Sequence, residues 1–231
     1  MLPLSKMLIP GFFLILFAAP SLVHADGIVL GGTRIVYPAG QKQTSISVRN
    51  TSNQSRYLVQ SWIEDAGGKK TNDFILTPPL YVSNPGNENT LRLMFSGPSL
   101  AEDRETLYYL TAKAVPAVEK NKTDGKNTLL LAAATRIKVF YRPKNLPLQV
   151  EAAPSKLTFT RQGKNVVVNN PTPYYITLVQ MKVSGIALRE SPMVPPFGQE
   201  SFTLPEAKGG AFSFETMNDY GGMSKTISTT L

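Results

Sequence analysis

Cysteine is absent from the 231-residue chain, and histidine occurs once, at His24. That histidine lies in an N-terminal stretch with the features of an export signal. Lys6 precedes an apolar segment, Met7 to Ala19, which is too short to cross a bilayer and is interrupted by Pro10 and Gly11. Val23-His24-Ala25 then fits a small-x-small cleavage site, so residues 1–25 are expected to be a cleaved signal peptide and Asp26 the mature N-terminus. A mature chain with neither His nor Cys cannot build a Ser-His-Asp or Cys-His triad, a His or thiolate zinc site, or a redox disulfide. No metal and no cofactor are therefore expected, and only carboxylate chemistry remains open. An exported protein without disulfide staples must rely on packing, which a chain of this length permits. Loss of Lys6 lowers the formal net charge of +8 by one and leaves a modestly basic protein.

Helical periodicity is also missing. After Asp26 no stretch sustains it over three turns; the chain is short alternating runs broken by Gly, Pro and Asn, an all-β pattern. Gly27 to Tyr37 is a first strand interrupted at Gly31-Gly32. Thr44 to Arg49 points Ile46 and Val48 inward, and Tyr57 to Glu64 carries Leu58 and the lone Trp62 on one face, with Trp62 expected in the core. Phe74 to Val82 is cut by Pro78-Pro79, which suits an edge or a crossing between sheets. Thr90 to Phe95, Leu107 to Val115 and the run beginning at Asn127 complete one sandwich, with Ala117 to Lys126 as a polar loop. Pro143, Pro147 and Pro154 punctuate the connection to a second series of shorter runs, from Leu157 to Thr229. Two all-β domains are expected, at 26–146 and 147–231.

Asn127 to Pro143, NTLLLAAATRIKVFYRP, leaves two readings open. Leu129, Leu131 and Ala133 share one face by the period-two rule, and Arg136, Lys138 and Arg142 add positive charge to the same element. Such a run is either a fully buried central strand or an edge strand kept apolar for a partner, since bare apolar edges otherwise invite aggregation.

Five segments carry a resemblance: Thr33 to Tyr37 (TRIVY), Leu100 to Pro116 (LAEDRETLYYLTAKAVP), Thr135 to Pro143 (TRIKVFYRP), Asn170 to Tyr174 (NPTPY) and Asn218 to Gly221 (NDYG). Together, and in this order, they resemble the periplasmic pilus chaperones of the chaperone–usher pathway over nearly the whole mature length. Thr111 stands where the family signature usually has Asn, and the cysteine pair of some members is missing from the second domain. The resemblance implies two immunoglobulin-like sandwiches in a boomerang around a cleft. It also implies a periplasmic chaperone that captures pilus subunits and delivers them to an outer-membrane usher, with no small-molecule substrate and no nucleic acid as partner.

The same resemblance assigns roles to residues. Arg34 and Lys138 match the pair that grips the subunit's C-terminal carboxylate, a sensible combination of planar fork and point charge. Leu129, Leu131 and Ala133 match the donor strand that enters the groove of a subunit lacking its own final strand. Lys138 is even and these anchors are odd, so either a bulge or twist intervenes or the cation reaches the cleft from the opposite face. Glu105, Arg142 and Asp219 match an interdomain charged cluster, with Arg142 expected to keep both carboxylates ionised. Tyr174-Tyr175 is expected to pack within the second domain. The short F-to-G loop resembles the branch serving rod-like, adhesin-bearing fimbriae, and a second copy of the chain is a candidate cap for the free strand. From residue types alone the competing reading is an exported two-domain β-sandwich that binds carbohydrate or acts as a carboxylate glycosidase, which would need two acids at workable separation across a cleft.

Overall fold

The computed structural model describes residues 27–117, 131–205 and 209–231. The expected signal peptide with His24, most of the F-to-G loop and Leu129 lie outside these residues. The first half of the chain forms strands β1 (Ile28–Leu30), β2 (Arg34–Pro38), β3 (Thr44–Asn50), β4 (Tyr57–Asp65), β5 (Phe74–Thr77), β6 (Leu80–Ser83), β7 (Glu88–Phe95), β8 (Thr106–Pro116) and β9 (Ala133–Arg142). A 3-10 helix, Val150–Lys156, leads into β10 (Thr158–Gln162), β11 (Asn165–Asn170), β12 (Ile176–Val183), β13 (Ile186–Ala187), β14 (Met193–Val194), β15 (Gly198–Thr203), β16 (Ala211–Thr216) and β17 (Ile227–Thr230).

Each half is a sandwich. In the first, a sheet ordered β1-β3-β7-β5 packs on one ordered β2-β9-β8-β4-β6. Inward residues of both sheets, among them Ile35, Val48, Ile63, Leu91, Leu93, Leu110 and Val139, form one core. In the second, β10-β11-β15 faces β13-β12-β16-β17, with β14 paired to β12, around Val166, Val168, Leu178, Phe202, Phe212 and Phe214. The fold is therefore all-β and built of two domains.

The expected first strand is two strands in different sheets. Gly31-Gly32 is the crossing: β1 pairs with β3, while β2 joins β9. Gly31 donates its N–H to the Ser47 carbonyl at 2.9 Å, and a Cβ there would meet the Ser47 hydroxyl, so glycine allows this approach without displacing that side chain. Pro78-Pro79 marks a second crossing, from β5 in one sheet to β6 in the other.

The core position expected for Trp62 is not what the structure shows. Val59, Ser61 and Ile63 are the inward residues of β4, and Leu58 and Trp62 lie on the outer face. Both faces of this strand carry apolar residues, so alternation alone did not mark the inner one. Trp62 is held outside by polar partners: its indole N–H donates to Glu64 Oε1 at 2.7 Å, and Lys70 Nζ sits 4.5 Å from its ring centre.

The domains share a device without sequence likeness. The Asn50 side chain donates to the carbonyls of Ser55, Ser83 and Asn84, and Asn170 donates to those of Tyr174, Val194 and Pro195. Each buried asparagine thus pins loops at one end of its sandwich, and Asn170 fixes the turn that leads to Tyr174 in the second-domain core and Tyr175 at the domain boundary. A buried amide that satisfies several carbonyls avoids the large cost of leaving them unpaired.

Candidate functional site

The site grows from the position of β9 in its sheet. β8 pairs with β9 without a break from Thr106↔Tyr141 to Ala114↔Ala133. On the other side β2 runs parallel to β9, but only from Arg34↔Lys138 to Pro38↔Arg142. Ala133 to Ile137 therefore has a strand on one side and none on the other among the described residues. Leu131, just before the strand, is 73% exposed, and Ala133 to Arg136 are exposed as well. Of the run expected from Asn127, residues 127–130 lie outside the described residues; β9 begins at Ala133, and Leu131 and Ala132 precede it without strand pairing.

The unbroken β8–β9 register also decides how Lys138 is placed. Ile137 and Val139 enter the core, so Lys138 projects from the opposite face, towards the second domain, where its Nζ donates to Thr177 Oγ1 at 3.2 Å. No bulge intervenes. Ala133 and Thr135, of odd parity, lie on the face continuous with Ile137.

Arg34 opens β2 directly beside Lys138. Its Nη1 donates to the Met217 carbonyl at 3.3 Å, its guanidinium lies 5.6 Å from the centre of the Phe140 ring, and its Nε is buried without a partner. Burial, the largest effect, lowers the pKa of both cations. The carboxylates of Asp219 and Glu105 partly offset this for Arg34, whereas the Arg34 charge depresses Lys138 further. Among the described residues neither forms an ion pair. They are two adjacent, half-buried cations with no carboxylate in direct contact among the described residues.

Four residues further along the same face the charge balance is reversed. Arg142 Nε donates to Glu105 Oε1 at 2.7 Å, and its Nη1 and Nη2 donate to Asp219 Oδ2 and Oδ1 at 2.6 and 2.7 Å. Glu105 is in the first domain and Asp219 in the second, so the arginine bridges the two. The Asp219 turn is itself fixed: Asn218 Oδ1 accepts from the N–H groups of Tyr220 and Gly222, and Gly221, at φ +83°, packs against Thr33. Burial opposes the charge on Arg142, but its carboxylate partners outweigh it and its pKa rises. Glu105 behaves otherwise than expected. Burial pushes its carboxyl up against the pull of Arg142 and of the Tyr175 N–H, which donates to Glu105 Oε2 at 2.8 Å.

Tyr175 also departs from expectation. Tyr174 packs in the second-domain core, but the Tyr175 ring lies 5.6 Å from Phe140 across the domain boundary. Sequence reasoning missed four participants of the cleft, Phe140, Tyr175, Thr177 and Met217. Thr177 and Met217 had no signal to find them by, since one offers a hydroxyl and the other a backbone carbonyl. A cleft of about 320 Å³ lies between the domains, with Arg34, Phe140, Arg142, Tyr175, Met217 and Tyr220 in its walls.

Comparison with known proteins decides the family. Residues 27–147 match the pili and flagellar-assembly chaperones, PapD N-terminal domain, and residues 152–228 match the pili assembly chaperone PapD, C-terminal domain. The chain belongs to the PapD family of pilus-assembly chaperones. It is 45% identical over 213 residues to the probable fimbrial chaperone SfmC of Escherichia coli K12, covering 92% of this chain and 91% of that one. The chaperone protein FocC of Escherichia coli is 43% identical over 217 residues, with 93% and 94% covered. Among solved structures, the periplasmic chaperone SfaE is 41% identical with a TM-score of 0.75, covering 87% of this chain and 98% of that one. The SafB chaperone, solved in complex with the Salmonella enterica SafA pilin, is 28% identical with a TM-score of 0.81, covering 90% and 98%. This PapD-family member is a fimbrial chaperone of the chaperone–usher class and not an enzyme, which removes the carboxylate glycosidase as a reading of the Glu105 and Asp219 pair.

Proposed function

We propose that this chaperone captures fimbrial subunits in the periplasm, after export directed by residues 1–25, by lending them the exposed half of β9, and then passes them to an outer-membrane usher. The observation that carries the reading is the free edge of Ala133 to Ile137, which ends at two cations that form no ion pair among the described residues. Leu129, Leu131 and Ala133 fill the subunit's groove, and Arg34 with Lys138 holds its terminal carboxylate. The SafB–SafA complex supports the same kind of partner for a relative.

The geometry gives the captured strand a direction. A strand on this edge lies in line with β2 and meets Arg34 at its end. Because its C-terminus must reach Arg34 and Lys138, it runs in the same sense as β9, as β2 does. Each buried leucine contributes about 1.5–3 kcal/mol, each net backbone hydrogen bond about 0.5–1.5, and a charge-assisted contact about 1.5–3. The strand therefore supplies most of the affinity and the cations set the register. Glu105, Arg142 and Asp219 hold the domain angle that keeps Thr177 and Met217 against the two cations. Without a subunit, a second copy of the chain covers the exposed edge.

Periplasmic co-expression with fimbrial subunits, followed by purification of the chaperone, tests the reading. A subunit is expected to co-purify and to be degraded when the chaperone is omitted. Subunits equally stable without it would overturn the proposal.

A further inference from the structure

The outer face of β9 carries a third cation that the carboxylate anchor does not use. Arg136 is two residues before Lys138 on the same face, about 7 Å away along the strand. A captured strand shifted by two residues would bring its carboxylate to Arg136. Because side chains alternate with period two, such a shift keeps every side chain on its own face, so the apolar pattern does not resist it. Only the anchoring cations distinguish the two registers.

The structure keeps Arg136 away from the free edge. Its guanidinium lies 3.6 Å from the centre of the Tyr109 ring, and Nε meets Glu64 Oε2 at 2.8 Å. Tyr109 is on β8, opposite Lys138, and Glu64 is on β4, one strand further from the edge. Arg136 therefore reaches inward across the sheet, away from where a partner strand would run. Glu64 is fixed in turn by the Trp62 indole N–H on its other oxygen, and Lys70 covers the Trp62 ring. Lys138 points the other way, to Thr177 of the second domain.

We infer that Glu64 is a positioning residue: by holding Arg136 over Tyr109 it withdraws a β9 cation that would compete with Lys138 for the subunit's terminal carboxylate, and so fixes the register of capture. This rests on the strand-lending reading above. Without Glu64, Arg136 becomes a free cation beside the edge. The slipped register then gains an anchor of its own, although it still lacks Arg34.

The absence of cysteine makes the test direct. Thr135→Cys places the only thiol of the mature chaperone on the free edge. Single cysteines are then introduced at two positions, two residues apart, on the final strand of the subunit that co-purifies with the parent, and disulfide yields are compared. The parent is expected to give one crosslinked pair. Glu64→Gln should raise the slipped pair about tenfold relative to the native one. Glu64→Gln combined with Arg136→Gln should return to a single pair. Arg136→Gln alone, which also loses the ion pair, should keep the single pair and so separates competition from simple loosening of the sheet. A single native pair in Glu64→Gln, or slippage in either variant lacking Arg136, would overturn the inference. A parent that retains the subunit but crosslinks at neither position would overturn strand lending itself, and this inference with it.

Discussion

Lys138 and Arg142 stand four residues apart on one face of one strand, yet their surroundings are opposite. Arg142 is saturated in charge: three of the five N–H donors of its fork go to two carboxylates, Glu105 and Asp219, from two domains. Lys138 has a threonine hydroxyl and, beside it, another cation. The saturated cluster spends its charge within the molecule, where it fixes one domain against the other. On the proposed reading the unsaturated pair keeps its charge for an outside anion, and the free protein carries the cost of that arrangement. A binding site maintained at some expense to the unbound fold is what a carboxylate anchor requires.

The comparison is broken most severely at Arg142. Arg142→Ala leaves the Glu105 carboxyl, whose side chain is 1% exposed, without its cation. Removing one partner of a buried pair costs about 3–5 kcal/mol. Urea denaturation should show that loss, with unfolding of the two domains no longer coincident. A change under about 1 kcal/mol would mean that the cluster does not hold the domains.

Substitutions at the unsaturated pair should act in the reverse sense. Arg34→Ala or Lys138→Ala removes a half-buried cation that forms no ion pair, so the free protein should be as stable as the parent or slightly more so. Subunit recovery should nevertheless fall at least tenfold, because a charge-assisted contact of about 1.5–3 kcal/mol is lost. Melting curves and co-purification from the same preparations read the two effects together. A variant that is destabilised yet still captures subunits would place these cations with Arg142 as structural groups. Leu131→Asp is expected to weaken capture through the groove while leaving melting unchanged, since this side chain is 73% exposed. Undiminished recovery would remove it from the lent strand.

Much of this was legible in the sequence because it depends on alternation and on residue order. Thr44 to Arg49 and Thr90 to Phe95 followed from period, and Pro78-Pro79 from the alternatives of an edge or a crossing, whereas Gly31-Gly32 was expected only as an interruption of one strand. Arg34, Lys138, Glu105, Arg142 and Asp219 came from the family resemblance; the structure places Arg34, Glu105, Arg142 and Asp219 in the walls of one cleft and Lys138 beside Arg34 on the neighbouring strand. What remained hidden was pairing. Parity put Lys138 and Ala133 on opposite faces but could not choose between a bulge and a true opposition; the regular β8–β9 register chose. Alternation grouped Leu58 with Trp62 correctly and gave them the wrong face, because Val59 and Ile63 form an equally apolar set; Glu64, two residues on along the same strand, was the available sign of a polar face, and Lys70 joins the ring only after folding. Arg136 gave no sign of its role, since its partner is on a strand far away in sequence.

The smallest effect separates the clusters by pH. Burial, then the Arg34 charge, lowers the pKa of folded Lys138 below its ordinary value near 10.5. The unfolded chain then holds this proton more tightly, so stability rises with pH between the depressed folded value and the unfolded one, and is lost as pH falls through the folded value. After screening by solvent the gain should be about 1 kcal/mol or less. Glu105 has the opposite sign. Its folded pKa is raised, chiefly by burial, so its contribution is full below its ordinary value of 4.5 and is lost as pH rises through the folded value. Tyr81, pushed up to about 12 by burial, also loses stability in the alkaline range, so the reading must come from a difference. Urea unfolding of the parent and of Lys138→Met from pH 8 to 10.5 should show the parent gaining on the variant as pH rises. Parallel curves would mean that Lys138 carries no penalty in the free protein, and that its charge is not held in reserve for a subunit.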